Sequence, residues 1–489
     1  MPTVAYVLNK TERVTPQMRA DVVVVGSGPG GAVTAALCAE AGRSVLLVEE
    51  GPNLPVEWPA HFSRDEILHK YRNAGVSIAL GSTQIAYVEG RCVGGGSEIN
   101  RGLYHRSPAY VLDGWSADFE VHQLSLDELM PHFTACEEIA RVEYLPGEAS
   151  GMSTRLYEGA MTLGWHVIEA PRLYRYTGRA SSKQSMSETF VPRFLEAGGW
   201  LIADTVVRHL SRSGGKWRLD ATHAPAGGDP QPVEISADKV FVACGAVQTP
   251  ALLRRSGLRK NIGNSLRFHP MLKVVAEFED EVNVSGDFDP VHQIKEFEPH
   301  FGMGCSISSR PMLALAMASR PDCLAQLEHH WRRMGIYYVQ TTGGCAMVRN
   351  LPLFRDPLIR VRHSEWDLHQ YAEGLRRLAE ALLAAGAIAI YPAAPGYPVL
   401  RSMADLRRLP ESLPIRSGNL TSVHLFSSCP MGENDALCAT DSFGRVRETD
   451  GLYIADASLL CGPTVVNPQG TVMAIAHRNA AHAIENRFI

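Results

Sequence analysis

The sequence of 489 residues predicts an α/β fold, in which a Rossmann-like domain is assembled discontinuously and a second, α+β domain is inserted between its segments. Two observations carry this prediction. A buried strand, a glycine-rich turn, a helix and a second strand follow one another near the N-terminus, within the roughly 30 residues typical of a βαβ unit. Similar strand, glycine and helix patterns recur in the middle and at the end of a chain that is too long for one simple core.

The composition limits the class of protein. Hydrophobic residues make up 45% and charged residues 20% of the chain, which is typical of a soluble globular protein. A net charge of −5 argues against nucleic acid as a partner, since phosphates require a basic face. The ten cysteines form no CxxC pair and no metal-type spacing. Without a signal-peptide pattern or an apolar run of membrane-spanning length, we expect a cytoplasmic protein with no membrane span.

The βαβ unit begins with DVVVV (residues 21–25), a short apolar run typical of a buried parallel strand. A glycine-rich turn and an alanine-rich helix follow, and Gly42 is placed to end that helix. SVLLVE (residues 44–49) is the second strand. Further along, the patterns predict a helix over 125–142 with a capping box, a hairpin within 211–236, strand, turn and helix over 237–257, an amphipathic helix over 367–387, and a last strand, turn and helix over 452–486. Residues 276–365 are not assigned.

The glycines Gly26, Gly28 and Gly31 form a GxGxxG motif between the strand and the helix. In such a motif the first glycine permits the turn, the second allows close approach to a pyrophosphate, and the third lets the helix pack on the sheet. Pro29 suits the first turn of the helix, whose N-terminus favours phosphate. An acid at the end of the next strand binds ribose hydroxyls; Glu49 is preferred, and the adjacent Glu50 stays open.

A second glycine-rich loop, GRCVGGGSEINRG (residues 90–102), supplies further backbone N–H donors in the segment Gly94–Ser97. A nicotinamide enzyme does not normally need such a loop. The second loop therefore favours a larger and permanently held cofactor such as FAD.

These segments resemble the glucose–methanol–choline (GMC) oxidoreductases, a family of FAD enzymes. The resemblance covers both glycine-rich loops, residues 237–257, HLFSSCPMG (residues 424–432) and residues 451–484, in the family's order and spacing. The motifs NIGNSLRFHP and HLFSSCPMG are nearest to the long-chain alcohol oxidase branch. The resemblance to the family implies an FAD-binding domain formed by residues 18–110, 185–272 and 424–489, and a substrate-binding domain formed by residues 111–184 and 273–423.

The resemblance also implies individual roles. His424 matches the catalytic histidine and Asn467 the second active-site position. Ile99 stands where some relatives carry a histidine that attaches FAD covalently, so we expect non-covalent FAD. Beyond the first loop and Glu49, the positions implied to contact FAD are Arg91, Gly94, Gly95, Gly96, Ser97, Asn100, Val207, Gly245, Asp456, Ala457, Asn467, Pro468 and Thr471.

These residues predict oxidation of a substrate alcohol to a carbonyl. His424 would remove the hydroxyl proton, Asn467 would donate to the developing alkoxide, and hydride would pass to flavin N5. Oxygen or another carrier would accept the electrons. Three alternatives stay open: a lyase of the hydroxynitrile-lyase type using the same histidine, a non-catalytic flavoprotein, and a light-driven decarboxylase. The roles of His269, which could lie near the substrate, and Glu98 are also open.

Overall fold

The computed structural model describes residues 14–55, 58–59, 61–177, 180–284, 290–318, 320–394, 396–414 and 420–489. The N-terminal residues behind the expectation of no signal peptide lie outside these ranges. Among the described residues, no helix has both the length and the apolar character required to cross a membrane.

The predicted βαβ unit lies at the centre of a seven-stranded sheet. The strand Gln17–Val25 pairs in parallel with Val45–Val48 on one side and with Gln231–Val242 on the other. All four residues of Val45–Val48 are buried, as expected for a parallel strand covered on both faces. The hairpin predicted within residues 211–236 lies in antiparallel strands at the edge of this sheet. The remaining strands of this sheet are Thr205–Ser213, Lys216–His223, Trp200–Ile202 and Leu452–Ile454.

A second, nine-stranded sheet is mainly antiparallel, and three of its strands lie wholly within residues 276–365, which the sequence left unassigned. Its central strand, Met271–Glu277, pairs with Met334–Thr341 on one side. Its other strands are Ser77–Ala79, Ile85–Tyr87, Leu420–Ser422, Phe301–Ser306, His292–Ile294, Val167–Glu169 and Ala389–Pro392. A small four-stranded sheet contains Leu266–Phe268, Cys345–Arg349, Leu358–Arg362 and Leu425–Phe426. A three-stranded sheet contains Val142–Glu143, Arg172–Thr177 and Ala180–Lys183.

The helices follow their sequence signals closely. The helix Leu126–Ala140 begins with the predicted capping box, in which Ser125 and Glu128 bond each other's backbone N–H groups. The amphipathic helix Glu365–Ala384 buries its leucine face. The other α-helices are Pro29–Glu40, Arg64–Lys70, Gly96–Ile99, Ala109–Phe119, Gly151–Thr162, Phe190–Glu196, Gly245–Arg255, Arg310–Ala316, Leu324–His330 and Gln469–Glu485. The 3₁₀ turns are Arg72–Gly75, Pro321–Cys323, Trp331–Arg333, Met403–Arg408 and Ala457–Leu459.

The hydrophobic cores follow the two large sheets. One cluster packs Val274 and Leu378 between the nine-stranded sheet and the helix Glu365–Ala384. Another joins Val23 of the seven-stranded sheet to Leu112 and Phe133, which lie on the helices Ala109–Phe119 and Leu126–Ala140. These two helices therefore share a hydrophobic core with the Rossmann-like sheet.

Candidate active site

A cavity of about 1550 Å³ runs from the glycine-rich loops to the nine-stranded sheet. Its volume exceeds the roughly 300–1,000 Å³ of an ordinary small-molecule pocket. Gly28 and Glu49 line one part of it, and His424, Asn467 and Lys273 line another. One continuous space can therefore hold a dinucleotide and a substrate together.

The first glycine-rich loop opens on the cavity at Gly28. A Cβ atom added to Gly28 would meet no atom within 4 Å, so this position leaves free space for a ligand. A Cβ on Gly30 would lie 2.0 Å from the carbonyl oxygen of Ala455, and one on Gly31 would lie 2.0 Å from that of Gly26. Gly31 thus serves the predicted packing role, and Gly30 has an equally tight packing role that the motif did not indicate.

Ser27 connects the first loop to Glu49 and to the second loop. The Ser27 backbone N–H and hydroxyl both donate to Oε2 of Glu49, at 3.0 and 2.7 Å. The N–H of Gly51 donates to Oε1 of the same carboxylate at 2.8 Å. The N–H of Gly94 in turn donates to the Ser27 hydroxyl at 3.1 Å. Burial is the main influence on the Glu49 carboxyl and raises its pKa.

The second glycine-rich loop folds against the first. A Cβ on Gly95 would approach the Cα of Gly28 to 2.8 Å, so these backbones touch where both line the cavity. Gly94 and Gly95 have φ angles of 91° and 56°, which favour glycine. The short helix Gly96–Ile99 follows, and the Asn100 side chain donates to Oε1 of Gln469 at 2.5 Å.

The carboxylate of Glu50 forms ion pairs with arginine side chains. Arg72 donates to both of its carboxylate oxygens, at 3.3 and 2.6 Å, and Arg355 also donates to Oε1. Burial opposes ionisation of Glu50, but the two guanidinium groups outweigh it and lower its pKa to about 2. Glu49, in contrast, has no guanidinium partner among its described hydrogen bonds. This difference favours Glu49 over Glu50 as the residue available to ribose.

The C-terminal segment brings Asp456 and Asn467 to the same cavity. Oδ2 of Asp456 accepts from the hydroxyl of Thr249 at 2.5 Å and from the N–H of Gly245 at 2.9 Å. Pro468 precedes the helix Gln469–Glu485, whose first turn also faces the cavity. The unpaired N–H groups of this turn carry a partial positive charge toward the space beside Asn467.

His424 and His269 lie where two antiparallel segments pass from the small four-stranded sheet to the nine-stranded sheet. Leu266–Phe268 pairs with Leu425–Phe426 before this crossing, and Met271 pairs with Thr421 after it. The two Nδ1 atoms of the histidines are therefore only 3.0 Å apart. The hydroxyl of Ser422 has one proton and lies 3.1 and 2.8 Å from the carbonyl oxygens of His269 and His424, so it bridges the two backbones.

Asn467 contacts the second ring nitrogen of His424. Its Nδ2 atom lies 3.3 Å from Nε2 of His424, and its Oδ1 accepts from Nε2 of Gln293 at 3.3 Å. Because Gln293 occupies the amide oxygen of Asn467, the amide N–H group is directed at His424. Nε2 of His424 then accepts this bond and carries no proton, so Nδ1 carries it and donates to Nδ1 of His269.

Burial keeps both histidines neutral. It lowers the pKa of His424 to about 4. It lowers the pKa of His269 well below its usual value, with a smaller effect of the charges of His424 and Lys295. A neutral imidazole whose Nε2 carries no proton is suited to take one from a hydroxyl group near neutral pH.

The cavity brings together most, but not all, of the predicted site residues. Those that line it are Gly26, Gly28, Pro29, Glu49, Gly95, Gly96, Asn100, Val207, Gly245, His424, Asp456, Ala457, Asn467 and Pro468. Those that do not are Gly31, Arg91, Gly94, Ser97 and Thr471.

The residues that do not line the cavity have other partners. Arg91 contacts Glu50 through Nε at 3.4 Å, and the hydroxyl of Ser97 donates to the carbonyl of Gly94 at 2.7 Å. Thr471 is buried and shares a hydrogen bond with the Ser107 hydroxyl at 2.8 Å. Glu98 forms an ion pair with Lys70, with 3.9 Å between Oε2 and Nζ. Gln293 had no sequence signal, because its partner Asn467 is distant in the chain. Ser422 is close to His424 in the sequence, but its contact with the distant His269 had no sequence signal.

The residues present fit FAD. Gly28 leaves room beside a helix N-terminus, where a pyrophosphate is favoured. Glu49 is buried and accepts three hydrogen bonds, and a carboxylate has about four acceptor positions, so one is left for a ribose hydroxyl. Ile99 lines the cavity at the position where some relatives are expected to carry a histidine.

Sequence comparison gives a consistent result. Models of the GMC oxidoreductase family match residues 21–271 and 354–476. The GMC-type oxidoreductase y4nJ of Sinorhizobium fredii is 35% identical over 96% of this chain and 95% of its own length. A long-chain-alcohol oxidase of Arabidopsis thaliana is 27% identical over 94% of this chain and 68% of its own length.

Solved structures share the fold. Pyridoxine 4-oxidase from Mesorbium loti superposes with a TM-score of 0.73 at 20% identity, covering 94% of this chain and 98% of its own. A formate oxidase superposes with a TM-score of 0.73 at 15% identity, covering 97% of this chain and 99% of its own. These likenesses confirm the predicted α/β class with its Rossmann-like domain and its second domain.

Proposed function

Because the chain belongs to the GMC oxidoreductase family, whose members are FAD-dependent oxidoreductases, we propose that it oxidises a CH–OH group of a small-molecule alcohol to a carbonyl. The observation that carries the proposal is the pairing of His424 with Asn467, whose Nε2 and Nδ2 atoms lie 3.3 Å apart in the wall of the cavity that fits FAD. Relatives named as oxidases of long-chain alcohols and of pyridoxine support it.

In this proposal His424 is the base. Its unprotonated Nε2 takes the hydroxyl proton, which makes the adjacent carbon a better hydride donor. The amide N–H of Asn467 then donates to the developing alkoxide instead of to the imidazole. The positive end of the helix Gln469–Glu485 favours negative charge in the same space. Bound FAD supplies the hydride acceptor, at its N5 atom.

The cofactor is FAD, and we propose that it is held non-covalently by the predicted residues that line the cavity, with Glu49 at the ribose. The domain boundaries at residues 110, 184, 272 and 423 remain part of this proposal. Precipitation with acid tests the attachment: the yellow colour is expected in the supernatant, whereas a yellow pellet would contradict non-covalent binding.

Anaerobic mixing tests the reaction. The purified holoprotein is mixed with a panel of primary and secondary alcohols while flavin absorbance is recorded. Loss of the oxidised-flavin band with an alcohol is the expected result. Product formed without bleaching would replace the proposal with a lyase reaction. Oxygen admitted afterwards separates an oxidase, which re-oxidises at once, from an enzyme with another electron acceptor.

Two variants assign the base. His424→Ala is expected to bleach about 10²–10⁴-fold more slowly, the usual contribution of a general base. His209→Ala is the matched control, since His209 lies half-exposed on an edge strand. A His424→Ala variant that bleaches at the parent rate with full FAD content would remove His424 from the mechanism.

A further inference from the structure

Lys273 lies in the wall of the cavity that the nine-stranded sheet forms. Met271 and Lys273 are two residues apart on the strand Met271–Glu277, and both line the cavity. Because side chains alternate along a strand, they project from the same face. On the next strand, Gln340 stands opposite Met271 and Tyr338 opposite Lys273, and these two also line the cavity.

Lys273 has no counter-ion within the described ranges, where its ammonium forms neither an ion pair nor a hydrogen bond. The acidic residues that line the cavity have other partners. Ser27 and Gly51 donate to Glu49, arginines pair with Glu50, Glu89 and Asp356, and Thr249 donates to Asp456. Burial alone lowers the pKa of Lys273. The Lys273 side chain is half-buried in the cavity wall, so an ammonium without a counter-ion is available there to form a charge-assisted bond with a bound anion.

A row of polar side chains lies between Lys273 and the predicted base. Tyr338 stands directly across from Lys273, and opposite residues of paired strands have Cβ atoms about 5 Å apart. A side-chain hydrogen bond joins Tyr338 to Gln293, although burial dominates and raises the pKa of this phenol. Gln293 donates to Asn467, which contacts His424. Lys273 and His424, the two ends of this row, therefore line the same cavity.

The backbone limits the separation of these ends. His269, which contacts His424, is four residues before Lys273, so their Cα atoms are at most about 14 Å apart. Met271 lies between them, and Ile307, Met312 and Leu315 also line the cavity. A molecule with an alkyl spacer of a few carbons can thus reach both the imidazole and the ammonium.

Resting on the proposed function, we propose that the substrate is a hydroxy acid whose carboxylate binds Lys273 while its hydroxyl faces His424. A single ammonium matches a single negative charge, and the protonated hydroxyl of Tyr338 can add a second donor. Met271 between the two ends and the other apolar side chains of the cavity suit the alkyl spacer. Lys273 is thereby a specificity-determining residue for the charged end of the substrate.

The test compares ω-hydroxyalkanoates with α,ω-diols of equal length on the anaerobic holoenzyme. The parent protein is expected to reduce its flavin with a higher kcat/KM on the acid than on the diol. Lys273→Met is expected to lower this preference by about 10- to 100-fold, mainly through KM, as loss of a charge-assisted bond does. Lys260→Met, which removes an exposed lysine paired with Asp435, is the matched control and keeps the preference.

A binding measurement separates this inference from the proposed function. Hexanoate, which has no hydroxyl to oxidise, is titrated into the holoenzyme while flavin absorbance is followed. Its Kd is expected to rise about 10- to 100-fold in Lys273→Met and to stay near the parent value in Lys273→Arg. Equal hexanoate affinity in the parent and Lys273→Met would overturn the inference, whether or not any alcohol is oxidised. A panel in which no alcohol bleaches the flavin would overturn the proposed function, while the titration would still decide on Lys273.

Discussion

The Nδ1 atoms of His424 and His269 lie 3.0 Å apart and share one hydrogen bond. Such a bond requires a proton on one Nδ1 atom and an electron pair on the other. Gln293 and Asn467 set the direction, because their amide bonds leave Nε2 of His424 as an acceptor. His269 therefore accepts a hydrogen bond from the Nδ1–H group of His424. This bond holds His424 in the tautomer that can act as a base.

Replacing His269 tests this positioning role. His269→Leu removes the acceptor at Nδ1 and is expected to slow flavin reduction by about 10²-fold, the lower end of a general base's contribution. His269→Asn keeps an acceptor oxygen and is expected to recover much of the rate. Equal losses in both variants, with FAD content unchanged, would mean that His269 acts only by filling space.

The pH dependence of flavin reduction reports the state of His424. Burial lowers its pKa to about 4, so the neutral and active form is present above that pH and is lost as the pH falls through it. The pH profile of kcat/KM is therefore expected to be flat from neutral pH to about 5 and to fall with unit slope near 4. An inflection near 6.5, the value of an unperturbed histidine, would contradict a desolvated base.

Two glycines of the first loop are expected to fail in different ways. Gly28→Ala adds a methyl group to the open space of the cavity, so the protein is expected to fold but to bind FAD more weakly. Gly30→Ala drives its methyl group to 2.0 Å from the Ala455 carbonyl, so soluble yield and melting temperature are expected to fall. The ratio of FAD to protein and thermal unfolding of each variant measure the two effects. A Gly28→Ala protein that retains full FAD affinity would place the pyrophosphate elsewhere.

Substitution of the adjacent acids identifies the ribose ligand. Glu49→Gln keeps the volume but removes the charge that Ser27 and Gly51 surround, and it is expected to raise the Kd for FAD by about 10-fold or more. Glu50→Gln loosens the contacts with Arg72 and Arg355 and is expected to change this Kd less. FAD release measured by flavin fluorescence gives both values. The reverse order would assign the ribose to Glu50.

The elements that sequence predicted are those with a local signal. The strand beginning at DVVVV, the capping box at Ser125 and the leucine face of Glu365–Ala384 each lie within one continuous segment. The nine-stranded sheet has no such signal. Strands such as Ile85–Tyr87 and Leu420–Ser422 have three residues each, and they pair across more than three hundred positions of the chain.

The candidate site likewise contains residues that the sequence predicted and residues that it did not. His424 and Asn467 were predicted because their motifs resemble those of a family, and the structure brings them within hydrogen-bond distance. Gln293 stands on a strand of the unassigned region, and Lys273 stands on the strand that leads into it. Gln293 reaches the site by contacting Asn467, and Lys273 lines the cavity. An isolated lysine or glutamine in a sequence carries no indication of what it will face.

Ser27 has a consequence for redesign. Its hydroxyl donates to Glu49 and accepts from the N–H of Gly94, so one small side chain joins three segments of the nucleotide cradle. A transplant of the segment from Gly26 to Gly31 from another dinucleotide-binding protein, without this serine, would leave the Gly94 N–H without its acceptor and the Glu49 carboxylate without its hydroxyl donor. Cofactor preference in this scaffold must therefore be altered in all three segments at once.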